Sequence, residues 1–495
     1  MTRSKEAWIK FLLTRAVGLV IDTAIVGAAY VGAILLRLDF QEPHWGWRKT
    51  AMAFVTVAVV HLVALVVCGT YSRSWRKVRF TDLLRYLGAT ALACVVLTAM
   101  RIVMPDVAMA HIRPPYSVTL ICFVLATLGL VASRLAWHGL WTLTVDEKAL
   151  LERPETRMDG SVAAAFLCGK TVMVTGAGGS IGSEIVRQVV RAGAKTVLMV
   201  ERGENALYEI DRKMKVEKAG GSGECLPLMI DINERGKMEA VFAKHRPEVV
   251  LHAAAYKHVP MVEMNPEEGW RNNTEATRLV AELSREYGVA RFVLISTDKA
   301  VNPVSVMGKT KLAAEAAIMS LNRDESKSKV EVEQRNSPPS SSSSTSSSTS
   351  TSPSTSTSPS TSFCAVRFGN VMGSSGSVVP LFKEQIAKGG PLTVTHPEMK
   401  RYFMTVEEAV GLVLQAASRD ERAIYTLDMG EPVRIVDLAE GMIRQAGFRP
   451  YVDIPIVFTG IRPGEKLFEE LDVSEKSCYK TDMAKIYITK SAPSA

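Results

Sequence analysis

The stretch "VMVTGAGGSIGSE" (residues 172–184) decides how this chain is read. Short apolar residues lead into a cluster of glycines and then into a helix-compatible run. Gly176, Gly179 and Gly182 fall at three-residue steps, with Ser180 and Ile181 between the last two. Glycines at this spacing allow a tight turn and let backbone approach a pyrophosphate, while the helix that follows offers free N–H groups and a positive dipole end. A glycine triplet alone is weak evidence. Here the demanded context is present, since Glu201 closes the next strand, "TVLMVE", about 20 residues on. That carboxylate favours ribose hydroxyls and therefore NAD, whereas the adjacent Arg202 suits the 2′-phosphate of NADP. Asp231 after the third strand is placed to meet an adenine edge, or else is a solvated turn residue. Ile232, Ala253, Ala254 and Ala255 complete the cofactor set.

Outward from this loop, apolar strands alternate with helical segments from Lys170 onward: "TVMVTG", "TVLMVE", "CLPLMI", "VVLHAA", "RFVLIST" and "CAVRFG". Such alternation predicts a parallel, doubly wound α/β sheet of Rossmann type, with a small C-terminal substrate-binding part, over 170–495. One interruption is foreign to it. Residues 337–362 contain only Ser, Thr and Pro, which cannot bury enough apolar surface to offset their ordering entropy. A disordered insertion without a catalytic part is expected, and loop-closure cost rises slowly enough for the fold to tolerate it.

The first 140 residues are different. After a short N-terminal segment (1–14), apolar stretches at 15–36, 51–70, 83–104 and 115–137 each approach the roughly 20 residues that a helix needs to cross a bilayer. The first carries Asp22 and lacks a cleavage site, so it does not read as a signal peptide. Basic residues crowd the middle loop (Arg73, Arg76, Lys77, Arg79, Arg85) and precede the first span (Lys5, Lys10, Arg15). The positive-inside rule then places the N-terminus, the middle loop and everything after residue 137 in the cytoplasm, with four helices (15–140) in the inner membrane. Asp22 and His61 are read as polar groups tucked inside the bundle, with an ion or substrate path as the alternative. A polar linker, 141–169, joins the two parts.

Composition narrows the partners. The net charge of +8 lies largely beside the membrane, where anionic lipid accounts for it. No basic stripe interleaved with aromatics points to nucleic acid. The seven cysteines are scattered without a CxxC pair, which argues against zinc or a disulfide framework and fits a reducing compartment.

The candidate chemistry follows the fifth strand. Thr297, Asp298 and Lys299 stand where a doubly wound sheet presents its ligands, just outside the carboxyl end of a strand. An acid and an amine side by side there make a pair of proton carriers whose pKa values burial and mutual charge can tune. Many nucleotide-binding enzymes place an acid/base Tyr four residues before a Lys. Here the Lys is Lys311, and the position four earlier holds Met307, which carries no proton.

The segments "HAAAYKHVP", "STDKAVNP", "MGKTK", "RFGNVMGSSGSVVP", "GGPLTVTHPEMKRYFMTVEEA" and "RPGEKLFEEL", with the glycine loop, resemble the membrane-bound nucleotide-sugar 4,6-dehydratases of bacterial polysaccharide and glycan biosynthesis, extended short-chain dehydrogenases. The resemblance covers residues 165 to about 472, and the four spans resemble that family's membrane part. In this family Met at the Tyr position is usual in the large membrane-bound members, so the resemblance implies an active enzyme. It implies oxidation of a UDP-sugar at C4 by NAD(P), loss of the C5 proton with the C6 hydroxyl, and hydride return to C6. Asp298 is then the general acid for the C6 hydroxyl and Lys299 the base for the C5 proton. Thr297 hydrogen-bonds near the C4 oxygen and Lys311 grips the nicotinamide ribose. The sequence leaves open which group takes the C4 hydroxyl proton in place of Tyr, with Asp298 through a water or Thr297 as the candidate. Lys257, Asn370, Arg401, Arg462 and Glu465 are the substrate-binding candidates, with the guanidiniums on the diphosphate. His258 is read as structural.

Two departures accompany the resemblance: the short linker stands where large members carry a further nucleotide-binding domain, and the Ser-rich run is foreign. The expected substrate is UDP-N-acetylglucosamine. Expected partners are the lipid bilayer, further copies of the chain and other glycan-biosynthesis membrane enzymes. The alternatives are an epimerase or other dehydrogenase on the same fold, and a non-catalytic membrane scaffold that senses nucleotide sugars, with flippase activity more remote.

Overall fold

A computed structural model describes residues 2–38, 47–71, 80–103, 114–142, 150, 160–217, 223–336, 360–471, 473 and 477–490. The basic residues Arg73, Arg76, Lys77 and Arg79, most of the 141–169 linker and positions 337–359 of the Ser/Thr/Pro run lie outside the described residues. The chain divides into two compact units.

The first is built around four helices: α1 (Thr2–Arg37), α2 (Trp47–Val67), α3 (Phe80–Val103) and α4 (Tyr116–Thr142). Helix α1 packs on α4 and α2, and α3 on α2 and α4. The helices outrun the apolar stretches, α1 beginning far before residue 15 and α4 continuing past residue 137. Hydropathy marks where a span is apolar, but a helix runs on until a strong breaker or a cap stops it; the residues before position 15 contain neither Gly nor Pro, and the single Gly139 past the fourth span is tolerated within α4. Each helix contains a window long and apolar enough to cross a membrane, and about a third of the first window is buried (33%). The remaining apolar side chains, Val20, Val55, Val67 and Leu128 among them, face outward. A water-facing protein does not expose apolar surface on that scale.

Inside this bundle Asp22 is fully buried and paired with a partner that hydropathy concealed. Arg134, within the fourth span, places Nη2 2.6 Å from both Asp22 carboxylate oxygens. Tyr71 donates its hydroxyl to Asp22 Oδ2 at 2.7 Å, and Arg134 Nε donates to the Tyr86 hydroxyl at 2.8 Å while its guanidinium lies over that ring. Asp22 stands near the beginning of its span and Arg134 near the end of the fourth. The cluster therefore gathers the start of the first span, the residues after α2, the start of α3 and the end of the fourth span at one end of the bundle. His61 Nδ1 donates to the Val57 carbonyl of its own helix at 2.8 Å.

The second unit holds a nine-stranded sheet. Its strands are β1 (Thr171–Thr175), β2 (Thr196–Glu201), β3 (Glu224–Met229), β4 (Val249–His252), β5 (Arg291–Ile295), β6 (Ser362–Arg367), β7 (Ile424–Leu427), β8 (Cys478–Lys480) and β9 (Ile486–Thr489). Their spatial order is β8-β9-β7-β6-β5-β4-β1-β2-β3. Seven strands run parallel, and β9 and β8 close one edge antiparallel. Strands β4, β5 and β6 are buried at every position, as a sheet covered on both faces requires. Pro227 sits in β3, the opposite edge, where a missing donor is tolerated. One face packs on α5 (Gly160–Leu167), α6 (Ser180–Arg191), α7 (Glu204–Glu217) and α11 (Val406–Ser418). The other packs on α8 (Arg235–His245), α9 (Ala276–Glu286) and α10 (Val306–Asn336).

Two boundaries move relative to the sequence reading. Helix α5 falls inside the stretch taken as linker, because "GSVAAAFL" is apolar enough to dock and Leu167 is fully buried. At the other boundary, Ser362 belongs to β6 and the Thr361 hydroxyl donates to the Ser284 carbonyl, so the Ser/Thr/Pro run joins the fold before residue 362. Parallel pairing with Arg291 draws those last residues into the ladder despite their composition.

Replacing Asp22 by Ala leaves the Arg134 guanidinium buried without its counter-ion. A loss of about 3 kcal/mol is expected, read as a lower thermal unfolding midpoint of the detergent-solubilised protein. An unchanged midpoint would show that the pair does not hold the bundle.

Candidate active site

Strand order reverses between β1 and β4, and the crevice outside their carboxyl ends is where a doubly wound sheet binds ligands. A cleft of about 200 Å³ opens there, lined by Gly176, Gly179, Glu201, Arg202, Tyr256 and Asn272 among others. Gly176 has a φ of +65°, and a Cβ on it would sit 2.8 Å from the Ala254 backbone. A Cβ on Gly182 would lie 2.0 Å from the Gly176 carbonyl oxygen, so α6 starts this close to β1 only because the position is glycine. The cradle that results has the shape and open helix start that a dinucleotide pyrophosphate requires.

The remaining cofactor candidates distribute as follows. Ile232, Ala253, Ala254 and Ala255 line the cleft. Ser180 and Ile181 lie in the first turn of α6, with Ser180 Oγ accepting from the Ser375 amide at 3.0 Å. Glu201 accepts from the Gly178 amide at 3.2 Å and the Gly203 amide at 3.0 Å, so its carboxylate pins the glycine loop as well as facing the cleft. Arg202 lies over the Tyr256 ring at 4.7 Å. Asp231 does not line the cleft. It forms a turn in which Asn233 donates both its amide and its side chain to Oδ1. Burial raises its pKa, but those hydrogen bonds and the Arg202 and Arg271 charges outweigh this and leave it below the usual carboxylate range.

Tyr256 and Asn272 were not singled out in the sequence, and neither was Asn273. Asn273 accepts from the Tyr256 amide at 2.8 Å and donates to the Tyr256 carbonyl at 3.0 Å. It sits in a π-helical turn, Arg271–Glu275, a distortion often found at functional sites. The available signal was the polar run "RNNTE" inside a helical pattern.

The triplet after β5 adjoins a second cavity of about 150 Å³, whose lining includes Lys299, Asn370, Arg401, Glu465, Lys466 and Glu469. Thr297 Oγ1 donates to Asp298 Oδ1 at 2.9 Å and accepts from the Lys299 amide at 3.3 Å. Lys299 Nζ donates to Asp298 Oδ1 at 2.9 Å and to Asn370 Oδ1 at 3.2 Å, and stands 3.7 Å from Glu469 Oε1. Asp298 Oδ2 is buried without a hydrogen-bond partner, as is Glu465 Oε2 on the cavity wall. Orphaned buried carboxylate oxygens are costly and call for an explanation such as a role in binding or catalysis.

Arg401 donates to the carbonyls of Lys400, Lys466 and Leu467, at 2.7, 2.8 and 3.1 Å, and so clasps the strap that carries Glu465 and Glu469. Arg462 and Lys257 are exposed and line neither cavity, and exposed His258 packs on Gly376. Met307 is buried in an apolar cluster with Val259 and Val262. Lys311 is also buried; its Nζ donates to the Ile295 carbonyl at 2.7 Å, and burial pushes its pKa down to about 8 against the opposing pull of Glu315.

Two features missed in the sequence organise this corner. Glu315 is fully buried on α10, one turn beyond Lys311, and accepts from the Ser296 hydroxyl at 2.5 Å and from Arg367 Nε at 2.9 Å. Glu469 is buried between Lys299 and Arg401. Burial raises its pKa, Lys299, Arg401 and Lys466 oppose that, and Asp298 adds to it. Only its place in "RPGEKLFEEL" marked it beforehand.

The family model described as "Polysaccharide biosynthesis protein" matches residues 172–491. The chain belongs to this family. Among its relatives, capsular polysaccharide biosynthesis protein CapD of Staphylococcus aureus is 47% identical over 328 residues, covering 66% of this chain and 49% of that protein. This chain thus spans about half the length of that relative. UDP-N-acetylglucosamine 4,6-dehydratase (inverting) of Campylobacter jejuni is 29% identical over 311 residues, covering 62% of this chain and 79% of that one. The solved structure of Pen from Bacillus thuringiensis superposes with a TM-score of 0.53 at 29% identity, covering 66% of this polysaccharide biosynthesis protein and 90% of Pen.

Two outcomes test this geometry. Gly182→Ala is expected to weaken dinucleotide binding by about tenfold or more by titration and to lower the thermal midpoint as well, since the new Cβ meets backbone atoms of Gly176 and Ala177 that must shift. For Lys311 the folded protein binds its proton less tightly than the unfolded chain does, so stability should rise as pH climbs from about 8 towards 10.5. Lys311→Met should flatten that rise in denaturant titrations across the window.

Proposed function

We propose that this protein is a membrane-anchored nucleotide-sugar 4,6-dehydratase that converts UDP-N-acetylglucosamine to a UDP-4-keto-6-deoxy sugar for surface polysaccharide. The observation that carries this reading is the buried Asp298 bonded to Lys299 at the β5 tip, with Asn370 and Glu469 around the ammonium and a cavity in front. In this reading residues 15–140 anchor the chain in the inner membrane, 141–169 link, and 170–495 form the catalytic part on the cytoplasmic side. The name of the Campylobacter relative supports the substrate and the reaction.

The glycine loop, Glu201 and Arg202 would hold a nicotinamide dinucleotide, NAD in preference to NADP because Glu201 presents a carboxylate where a 2′-phosphate would lie. That group, when bound, takes a hydride from C4 of the sugar and later returns it to C6. The protein's own part is proton handling and binding. Thr297 relays the C4 hydroxyl proton to Asp298, a path supported by their 2.9 Å hydrogen bond. The 4-keto group acidifies the C5 proton, which Lys299 removes. Asp298 then delivers its proton to the C6 hydroxyl, which leaves as water. Lys311 is assigned to the nicotinamide ribose, for which its ammonium must leave the Ile295 carbonyl. Met307 takes no part in proton transfer and packs the wall behind. Asn370 and Glu465 face the sugar and the strap cations face the diphosphate.

Incubation of the full chain with UDP-N-acetylglucosamine and NAD should yield a product lighter by one water in mass spectrometry. Lys299→Ala should lower the rate by about 10²- to 10⁴-fold, the usual worth of a general base. A product of unchanged mass would identify an epimerase and overturn the reading.

A further inference from the structure

The dehydratase reading leaves one proton unaccounted for. Lys299 can accept the C5 proton only as a neutral amine, yet its Nζ sits among three oxygen acceptors, two of them carboxylates. Asp298 Oδ1 is the nearest, but in that reading it is loaded with the C4 hydroxyl proton through Thr297. Asn370 offers an amide oxygen, which does not take up a proton in this range. The remaining acceptor is Glu469 Oε1, which lines the same cavity 3.7 Å from Lys299 Nζ.

We propose that Glu469 takes the ammonium proton of Lys299 and thereby readies Lys299 as the base for C5. This rests on the dehydratase reading and deepens it. The proton balance closes. One N–H bond of Lys299 breaks and an O–H bond forms on Glu469; Lys299 then gains the C5 proton, and Asp298 releases its own to the departing C6 hydroxyl. As C6 is reduced by the hydride that a bound nicotinamide would supply, Lys299 returns a proton to C5, and Glu469 gives back the one it borrowed. All three side chains end as they began.

Two features of the site suit Glu469 to this. Its side chain is 5% exposed, so no bulk water competes for the proton. Burial raises its proton affinity, with Asp298 adding to this and Lys299, Arg401 and Lys466 opposing it. A carboxylate of raised affinity is a better acceptor from an amine than an ordinary surface carboxylate. Arg401, 3.9 Å away and clasped to the carbonyls of the strap, holds Glu469 on the cavity wall. Glu469 acts through Lys299 and is therefore a positioning and relay residue, with no contact to the reacting carbon.

The test isolates the C5 step. UDP-N-acetylglucosamine and NAD are supplied to the full chain in D2O, so that C4 oxidation loads Asp298, and the rate at which deuterium appears at C5 is followed by mass spectrometry across pH. The wild type should exchange, and Lys299→Ala should not. Because Glu469 must be ionised to accept, exchange should fall as pH drops through a value above the usual 4.5 of a Glu carboxyl. Glu469→Gln should slow exchange by about tenfold or more and abolish that acid limb, with an unchanged unfolding midpoint. Exchange within about threefold of wild type and an intact limb in Glu469→Gln would overturn the proposal. If Glu469→Gln does not fold, Glu469→Asp decides: a slower rate with the limb retained supports the relay, and loss of the limb refutes it. If the wild type dehydrates UDP-N-acetylglucosamine but exchange ignores Glu469, the relay alone fails. If the wild type neither dehydrates nor exchanges, the dehydratase reading falls first.

Discussion

The carboxylate of Glu315 is the constraint on which the catalytic corner depends. It is fully buried beneath the sheet's carboxyl edge and receives the Ser296 hydroxyl from the tip of β5 and the Arg367 guanidinium from the end of β6. A buried carboxylate without these donors would be severely destabilising, so the two strand tips are held to it and to each other. The next residues carry the site. The Asp298 amide donates to the Phe368 carbonyl, and Lys299 reaches Asn370, so the register of β5 against β6 sets the separation of ammonium and amide. Helix α10 brings Glu315 and Lys311 to this point one turn apart, and Lys311 braces β5 through the Ile295 carbonyl. Buried charged groups behind the strand tips thus locate the side chains that line the cavity.

The same rule governs the membrane bundle in a different solvent. Ionisable groups in a hydrocarbon setting are tolerated when they pair and their remaining hydrogen bonds are met. Asp22 and Arg134 pair with each other, and Tyr71 and Tyr86 take up the remaining donor and acceptor positions. Because the four residues come from near one end of each of the four spans, the cluster also specifies which span ends lie together.

The cavity itself is assembled from parts far apart in the chain. Lys299 comes from β5, Asn370 from the short strand after β6, Arg401 from a two-stranded ribbon, and Glu465, Lys466 and Glu469 from a strap held by Arg401. Two carboxyl groups consequently flank one ammonium, although only Asp298 is its neighbour in sequence. Met307, at the position where a Tyr would stand in other enzymes of this fold, is absorbed into apolar packing with Val259 and Val262. The titratable groups at this cavity therefore come from the β5 tip and the strap.

Much was legible in the linear chain, and for identifiable reasons. Hydropathy windows marked four spans, strand–helix alternation marked the sheet, and the spacing of Gly176, Gly179 and Gly182 before Glu201 marked the cleft, because each depends on local periodicity or on steric demands within a few residues. Thr297, Asp298 and Lys299 were visible because a parallel sheet presents its strand ends to ligands. Tertiary structure alone decided the pairings across long sequence distances. Arg134 drew no reading in the linear chain, and its role exists only once α1 places Asp22 against it. Arg401 looked like a phosphate ligand, whereas its fork is occupied by the carbonyls of a strap some 65 residues away. Glu315 and Glu469 carried no distinctive local pattern at all. A carboxylate's role follows from which donors surround it and how much water is excluded, and neither property exists until the chain has folded.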